Sequence, residues 1–219
     1  INLSAVDPTD NNPDCGSIYA VGNSVFAVCA IFDEEFQTQG AGRIVTIDAT
    51  SNSVVSDNAL TYANPFGQLH QSNGMNGVGG DLLVSTVPNF SDLTEGCLEK
   101  IGIGGASKGC LVENTELGGF ASAYRSTDAE NLVLAVTTGY GDGGRPDAFI
   151  ASYSAANGIS RTITSGSSFD VVQCPGGEQV VAEAGKGVRV FGKNGGELTT
   201  VPLGIGIAPV QSGLGCLAK

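Results

Sequence analysis

Basic residues are scarce in this sequence, and they are nowhere clustered. The chain has 10 Lys and Arg residues against 22 Asp and Glu residues, which gives a formal net charge of −12. Phosphate groups are bound by faces rich in Lys and Arg, so a nucleic acid or an anionic membrane is disfavoured as a partner. The composition instead indicates a soluble acidic surface, with a cationic ligand or a divalent ion as the remaining alternatives.

Long apolar segments and helical periodicity are also missing. No stretch of about 20 apolar residues is available to span a membrane, and no signal peptide is recognisable. No segment repeats its apolar residues with the period of an amphipathic helix. The 33 glycines suit turns and closely packed strands. The sequence therefore predicts almost no helix and no transmembrane segment.

Histidine occurs once, and the six cysteines never show Cys-x-x-Cys spacing. A zinc site or another transition-metal site is therefore nearly excluded. Six cysteines without metal-ligand spacing predict disulfides in an oxidising, extracytoplasmic compartment, whether periplasmic, cell-surface or secreted. Other connectivities are open, but the sequence separations favour the pairs Cys15–Cys29, Cys97–Cys110 and Cys174–Cys216.

Short strands separated by turns fill the chain. Residues 131–173 contain four of them, with β-branched residues, period-2 character and turns rich in Gly, Asn, Asp and Ser. One of the turns is Asn157-Gly158, a typical hairpin signal. The pattern predicts that residues 131–173 form one complete antiparallel unit of four strands. Because a single such sheet is marginally stable, it needs neighbouring sheets.

The same order of strands recurs along the chain. Phe66, Phe120 and Phe169 open the last strand of successive units and lie 54 and 49 residues apart. A period of about 40–50 residues with four strands per unit is typical of β-propeller blades. The sequence therefore predicts an all-β propeller of about four blades, as a single domain or propeller fragment over residues 1–219. The blade-like repeats are expected at about residues 16–66, 67–120, 121–169 and 170–212.

Both ends of the chain are expected to lie inside blades. Residues 1–4 resemble the outer strand of a preceding blade, and residues 211–217 resemble the first strand of an incomplete one. This arrangement predicts part of a larger ring. Its open sheet edges are expected to pair with another copy, another chain or the remainder of the same protein.

Four segments carry a resemblance to a known family: residues 1–8, 18–28, 40–50 and 64–67. They include Ile-Asp-Ala-Thr after a third strand and Asn-Pro-Phe-Gly before the next blade. These phrases resemble bacterial secreted or lipid-anchored propellers of the YVTN-repeat (YncE-like) type, although Tyr-Val-Thr-Asn itself does not occur. The resemblance is best over residues 1–70. It implies a ring of seven blades, about three of which lie outside this chain, in a secreted protein or lipoprotein.

Three long loops between second and third strands are the expected binding surface. They comprise residues 32–40, 88–96 and 139–147, and they combine carboxylates with aromatic side chains. In a propeller these loops emerge on the usual ligand face. The sequence predicts a non-catalytic protein that binds a protein, glycan or small ligand there; the alternative is that the loops are merely solvated. The predicted ligand-binding residues are Asp33, Glu34, Phe36, Phe90, Asp92, Tyr140, Asp142 and Asp147.

One segment near the start gathers oxygen ligands as calcium loops do. It contains Asp7, Asp10, Asn12 and Asp14, without the spacing or the distal glutamate of an EF-hand. Calcium is therefore the one cofactor that the sequence suggests. The alternative is a turn rich in Asp and Asn that leads into a strand. Asp142 and Asp147, on a glycine-rich loop, are a second candidate calcium site.

Catalytic signals are weak. His70 lies near Ser72 and Asp81 in the sequence, but no Gly-x-Ser-x-Gly elbow accompanies them. The alternative function is a calcium-dependent propeller hydrolase of the lactonase or phytase kind, with carboxylates from inner strands around an axial ion. The expected inner strands, residues 66–71, 120–124, 169–173 and 209–212, contain one carboxylate, Asp170. Nothing in the sequence requires an enzyme.

Overall fold

The computed structural model shows a nearly all-β chain. It describes residues 1–72, 80–126, 131–141, 146–164, 168–174, 176–183, 187–192, 196–199 and 201. Helical structure in this part of the chain is limited to a 3-10 turn, Ser4–Val6, and one short helix, α1 (Asn114–Leu117). No helix among the described residues is long and apolar enough to cross a membrane.

The strands form four antiparallel sheets, each built from strands that follow one another in the chain. Sheet 1 contains β1 (Asp14–Val21), β2 (Ser24–Ala30), β3 (Arg43–Asp48) and β4 (Ser53–Ala59). Sheet 2 contains β5 (Pro65–Gln71), β6 (Leu82–Thr86), β7 (Cys97–Ile101) and β8 (Ser107–Glu113). Sheet 3 contains β9 (Phe120–Ser126), β10 (Asn131–Tyr140), β11 (Pro146–Ser154) and β12 (Gly158–Thr164). Sheet 4 contains β13 (Ser168–Gln173), β14 (Gln179–Glu183) and β15 (Gly187–Phe191).

Two compact units divide these sheets. The first unit comprises Ile1–Gln71 and Gly80–Thr115, and it holds sheets 1 and 2. The second unit holds sheets 3 and 4. Each sheet is a simple up-and-down meander, because every strand pairs with its neighbour in sequence. This is the strand order that the sequence predicts for a blade.

The predicted four-stranded unit of residues 131–173 is shifted by one strand. All four of its strands form, but β13 pairs with β14, and β10 pairs with β9 on its other side. The strands that contain Phe66 and Phe169, and the one that opens with Phe120, are therefore the first strands of their sheets, not the last ones. Sequence periodicity reveals the length of a repeat, whereas backbone pairing decides where a sheet begins.

The chain start also differs from the prediction. Residues 1–4 form no strand, and the 3-10 turn begins at Ser4. This segment is fixed by apolar packing instead, because Val6 is buried and Leu3 packs beside it against sheet 1. The fourth strand expected after β15 is represented by a bridge between Phe191 and Glu197. The rest of that strand, and the strand expected at residues 209–212, lie outside the described residues.

The core of the first unit follows the period-2 pattern of its strands. Phe26 and Val28 of β2 face Leu82 and Val84 of β6, in a cluster that joins sheets 1 and 2. The alternate residues of β2, Ala27 and Cys29, point to the other face of sheet 1 and pack with Val6. Strand β2 is thus buried on both faces of sheet 1, which explains why it is a nearly continuous apolar run.

The core of the second unit is smaller and also lies between two sheets. Val133 and Ile150 of sheet 3 pack against Val171, Val181 and Phe191 of sheet 4. Short residues at Ala123 and Ala135 complete this cluster. Neighbouring sheets in each unit are therefore held face to face by branched aliphatic and aromatic side chains.

Two disulfides fasten the first unit. Cys15 and Cys29 are opposite each other in the β1–β2 pair, and their sulfurs are bonded. Cys97 and Cys110 link β7 to β8. Both predicted pairs are confirmed, and they place the chain in an oxidising environment. The third predicted pair, Cys174–Cys216, includes a residue outside the described part of the chain and stays a prediction.

Candidate functional site

Two long loops of the first unit emerge at one edge. In sheet 1 this edge is marked by the pairs Asp14–Ala30 and Arg43–Ala59, and in sheet 2 by Pro65–Thr86 and Cys97–Glu113. The β2–β3 loop (residues 31–42) and the β6–β7 loop (residues 87–96) therefore emerge here. The connector between the sheets (residues 60–64) runs along the same edge. We call this region the loop edge.

The β6–β7 loop is fastened at both of its ends. Asn114 donates from Nδ2 to the carbonyl oxygens of Thr86 and Glu95, at 3.0 and 2.6 Å. Its backbone amide donates to the carbonyl oxygen of Gly96. At the start of the loop, Asn64 donates from Nδ2 to the Val87 carbonyl at 2.8 Å. Two buried asparagines thus hold the ends of this loop, in addition to its buried apolar residues Val87 and Leu93.

An open acidic cleft of about 690 Å³ lies beside this loop. Three carboxylates contribute to its lining, and no Lys, Arg or His side chain does. The lining residues are Tyr62, Pro88, Asp92, Thr94, Glu95, Gly96, Glu113 and Thr115. Asp92, Thr94, Glu95 and Thr115 are exposed, so a ligand can reach the carboxylates directly from solvent. The arrangement can accept a cationic group by Coulomb attraction and charged hydrogen bonds.

The electrostatic field of the cleft acts on Tyr62. Its phenolic oxygen is 3.4 Å from Oε2 of Glu113, to which it donates a hydrogen bond. The negative charge of Glu113 is the main cause of a raised Tyr62 pKa, followed by burial, with smaller contributions from the charges of Glu95 and Glu99. Nearby negative charge disfavours the tyrosinate form, which explains the direction of the shift. The cleft is therefore a region of negative potential.

The raised pKa of Tyr62 allows a test of the negative potential in the cleft. Because the Glu113 carboxylate disfavours ionisation of Tyr62, Glu113→Gln is expected to lower the pKa of Tyr62 toward its ordinary value. Ultraviolet difference titration of the tyrosines measures this change, with Tyr62→Phe identifying the Tyr62 component. Glu35→Gln, an exposed substitution in the β2–β3 loop, is the control and should leave the titration unchanged. An unchanged Tyr62 titration in Glu113→Gln would contradict the proposed field.

Asp92 is held in its ionised form at the cleft. Its Oδ1 accepts hydrogen bonds from the Thr94 hydroxyl and backbone amide at 2.6 and 3.0 Å. These two hydrogen bonds lower the pKa of Asp92. Asp92 therefore keeps its negative charge at neutral pH, although one of its oxygens is engaged within the loop.

Phe90 adds an apolar surface to the same loop. Its ring packs edge-to-face on Phe66 of β5, with 5.3 Å between ring centroids, and 46% of the residue stays exposed. Phe90 and Asp92 are thus two predicted site residues that the structure places on one loop. Only Asp92 lines the cleft.

The β2–β3 loop presents a second aromatic residue. Asp33 accepts from the backbone amides of Glu35 and Gln37 at 3.0 and 2.8 Å, so its carboxylate shapes the loop. Phe36 sits at the tip with φ of 59° and is 76% exposed. Glu34 is exposed next to it. A bulky residue in the left-handed region is unusual and marks a tightly constrained turn.

The remaining predicted ligand residues belong to the second unit. Tyr140 ends β10, opposite Pro146 of β11, and is 46% exposed. Partial burial of its ring raises the pKa of Tyr140. Asp147 is exposed and pairs with Gly139 within the sheet. Tyr140 and Asp147 therefore lie on strand ends, where the sequence predicts a loop. Asp142 lies outside the described residues, and so does the candidate calcium pair that it forms with Asp147.

The predicted calcium segment forms a turn before β1. Asp7 is fully buried, Asp10 and Asp14 are half-buried, and Asn12 is exposed. The pKa of Asp14 is raised, chiefly by burial and then by the negative charges of Asp10 and Asp7. The carboxylates are therefore near enough to repel one another. The ligand atoms of the three aspartates do not all lie within 4.8 Å of one another, so calcium binding here stays a prediction.

Among the described residues, one group of three side chains does have its possible metal-binding atoms within 4.8 Å of one another. It consists of Cys97, Cys110 and Glu113. The two sulfurs are already joined in a disulfide, so they are not thiolates and cannot bind a metal in this form. Glu113 is thus available to the cleft as a carboxylate.

Two carboxylates considered for catalysis or for an axial ion are already paired with basic side chains. Asp81 accepts two hydrogen bonds from Nζ of Lys108, at 2.7 and 2.9 Å, so its buried carboxylate is engaged in an ion pair with a partly exposed lysine. His70 lies within β5 and is half-buried. In the second unit, Asp170 of β13 is 3.7 Å from Arg125. Asp170 is the inner-strand carboxylate that the sequence offers to an axial calcium ion, and its charge is balanced by Arg125.

Three cleft residues on which the proposed chemistry depends, Tyr62, Glu95 and Glu113, are not among the site residues predicted from the sequence. Glu95 lies in a loop that was considered for binding, but Tyr62 and Glu113 lie in the short connector and at the end of β8. A signal for Tyr62 did exist. In a propeller, the connectors between blades emerge on the same face as the loops between second and third strands. Residues 60–64 are therefore expected on the same face as the predicted binding loops.

The four meandering sheets define the class of the protein: it is a β-propeller protein, and this chain is consistent with part of the propeller. Three solved structures illustrate this. The β-propeller domain of Cps50 (Swd1) from Myceliophteria thermophila has a TM-score of 0.51 and 12% identity over 87% of this chain. PorZ, a surface component of the type-IX secretion system of Porphyromonas gingivalis, has a TM-score of 0.53 and 12% identity over 89%.

The third structure is the extracellular domain of a hybrid two-component system from B. thetaiotaomicron. Its TM-score is 0.52, with 12% identity over 85% of this chain. The present chain spans 57% of the Swd1 domain, 28% of PorZ and 22% of this extracellular domain. Neither a protein-family model nor a curated protein matches the sequence. At such low identity the likeness establishes the fold alone.

Proposed function

We propose that this chain is part of a non-catalytic, extracytoplasmic β-propeller that binds a protein, glycan or small ligand through its acidic loop edge. The observation that carries this proposal is the cleft of Tyr62, Asp92, Glu95 and Glu113, which contains three carboxylates and no basic side chain. Its charge favours a ligand with a cationic group. A Lys or Arg side chain of a protein partner fits this description best.

Charge and apolar contact would act together at this surface. Exposed ion pairs contribute about 0.2–1 kcal/mol each, so the carboxylates alone give modest affinity. Phe90, on the same loop as Asp92, offers an exposed ring on which an apolar or aromatic group of the partner can pack. Aromatic residues often dominate the binding energy of such surfaces. A peptide in which basic residues alternate with apolar ones suits this combination.

The setting of the protein is also part of the proposal. Two disulfides and the extracellular neighbour support an extracytoplasmic location. We place the chain among secreted or lipid-anchored propellers of the YVTN-repeat type, on the resemblance of residues 1–70. In such a ring the loop edge would be completed by blades that this chain does not contain. Against the hydrolase alternative, Asp170, the inner-strand carboxylate named for an axial calcium, lies 3.7 Å from Arg125.

Binding of a short Lys/Arg-rich peptide tests the proposed function. We expect the double variant Glu95→Gln/Glu113→Gln to weaken binding about fivefold to tenfold, since two exposed ion pairs are lost. Isothermal titration calorimetry at low and high salt measures the change. Because the attraction is electrostatic, salt should weaken binding to the wild type more than binding to the variant.

Two controls make the result specific. Glu35→Gln/Asp48→Asn removes the same charge away from the cleft, at an exposed loop residue and at the turn after β3, and should change affinity little. The same peptide with acetylated lysines and citrulline for arginine should bind poorly. Equal losses in both double variants would show general acidic attraction and contradict a site at the cleft. Equal binding of the neutral peptide, or preferential binding of a neutral glycan, would contradict recognition of a cation.

A further inference from the structure

We propose that the turn of residues 7–14 binds a calcium ion through the carboxylates of Asp7, Asp10 and Asp14. This site is separate from the cleft, and it does not depend on the function proposed above. The ion would join the segment that covers sheet 1 to the first residue of β1. Its role would be to hold the chain start against the blade.

The argument begins with Asp7, whose carboxylate is fully buried. Oδ1 accepts a hydrogen bond from the Thr9 amide at 2.7 Å. Oδ2 is buried and has no hydrogen-bond partner. None of the ion pairs in the described part of the chain includes Asp7. Buried carboxylates are normally paired or bound to a metal, so the free oxygen requires an explanation.

Apolar packing fixes the chain directly before Asp7. The preceding residue, Val6, packs into the cluster with Ala27 and Cys29 of sheet 1, and Leu3 packs beside it. Asp7 follows with an extended backbone, and its side chain is buried as well. The fold thus brings a negative charge into the interior at a fixed place.

Two further carboxylates come from the same turn. The Asn11 amide donates to the Asp7 carbonyl at 3.1 Å and closes the turn. Asp10 lies inside it, and Asp14 is the first residue of β1. Both are half-buried. The oxygens do not yet form a set within 4.8 Å, so binding would rotate the Asp10 and Asp14 side chains toward Asp7.

The donor set favours calcium among the common ions. All three ligands are carboxylates, and hard oxygen donors suit Ca²⁺ and Mg²⁺, whereas zinc and copper prefer His and Cys. Calcium accepts irregular geometry and more ligands, including backbone carbonyls. Magnesium requires a near-ideal octahedron. The three carboxylates lie close together in one turn of the chain, so their geometry is irregular. Calcium tolerates such a geometry more easily than magnesium does.

Thermal unfolding in calcium and in EDTA tests this site. We expect millimolar calcium to raise the melting temperature of the wild type by several degrees, with a smaller effect of magnesium. Asp7→Asn keeps an oxygen that can accept from Thr9 but removes the charge, so it should abolish the calcium shift. In EDTA the same variant should be at least as stable as the wild type, because it lacks a buried negative charge that no cationic group balances.

Asp48→Asn is the matched control, because Asp48 also accepts from the amide two residues later in a turn, that of Thr50 at 2.7 Å. This variant should retain the calcium shift. Asp10→Asn, at a half-buried position that should not affect folding, should weaken calcium binding at least tenfold in calorimetric titration. A wild type indifferent to calcium would overturn the proposal. A calcium shift that is the same in the wild type and Asp7→Asn would overturn it as well.

Discussion

Replacing Gly96 with alanine is expected to destabilise the protein by roughly 2–4 kcal/mol and to lower its melting temperature by several degrees. Gly96 ends the β6–β7 loop with φ of 95°, a conformation that residues with a side chain rarely adopt. A Cβ atom there would lie 2.2 Å from the Thr86 carbonyl oxygen and 2.8 Å from Cδ of Pro88. Neither neighbour can move freely, because one is a backbone carbonyl at the end of β6 and the other is part of a proline ring.

Gly104→Ala is the control for this prediction. Gly104 is exposed in the β7–β8 turn, its φ is not positive, and a Cβ atom there would meet nothing within 4 Å. Urea unfolding of the two variants compares their free energies of unfolding with that of the wild type. We expect Gly104→Ala to be nearly neutral. Equal stability of Gly96→Ala and the wild type would show that the loop is not built as described.

Glu99→Ala is the second substitution with a large expected effect. Glu99 of β7 is fully buried, and both of its carboxylate oxygens accept from the Thr61 amide at 3.0 Å. Oε1 also accepts from the hydroxyl groups of Thr61 and Ser107. Thr61 belongs to the connector after sheet 1, so this carboxylate links the two sheets of the first unit.

Removal of the Glu99 carboxylate leaves the donors of Thr61 and Ser107 without their acceptor. We expect a loss of about 2–4 kcal/mol in the free energy of unfolding, from unsatisfied polar groups and a cavity. Urea unfolding measures it. Glu99→Gln keeps one acceptor oxygen and should lose less. Glu35→Gln, in an exposed loop, should be neutral, and a Glu99→Ala variant as stable as Glu35→Gln would contradict the structural role assigned to Glu99.

The strands were the most predictable part of the fold. β10 and β11 are apolar, rich in β-branched residues and separated by turn residues, so their positions follow from sequence alone. The start of each sheet does not follow, because it depends on backbone pairing between distant segments. Phe120 opens sheet 3 by pairing with Thr137 across the sheet. Periodicity alone assigns it equally well to the end of the preceding unit.

The candidate site was predicted only in part. The length and composition of the β6–β7 loop pointed to Phe90 and Asp92, because loops of this length on a rigid scaffold often bind ligands. Tyr62 and Glu113 came to the same cleft through tertiary structure, 51 residues apart in the sequence. The connector position of Tyr62 indicates only the face on which it lies, and no local pattern distinguishes Glu113 from the last residue of an ordinary strand.

The fastening of the β6–β7 loop by Asn64 and Asn114 has a thermodynamic consequence for recognition. A loop that must become ordered on binding loses conformational entropy, which reduces affinity. Here the intramolecular hydrogen bonds of the two asparagines supply that order during folding, before any ligand arrives. A partner then meets a preorganised surface. Its affinity is not reduced by the entropy cost of ordering the loop.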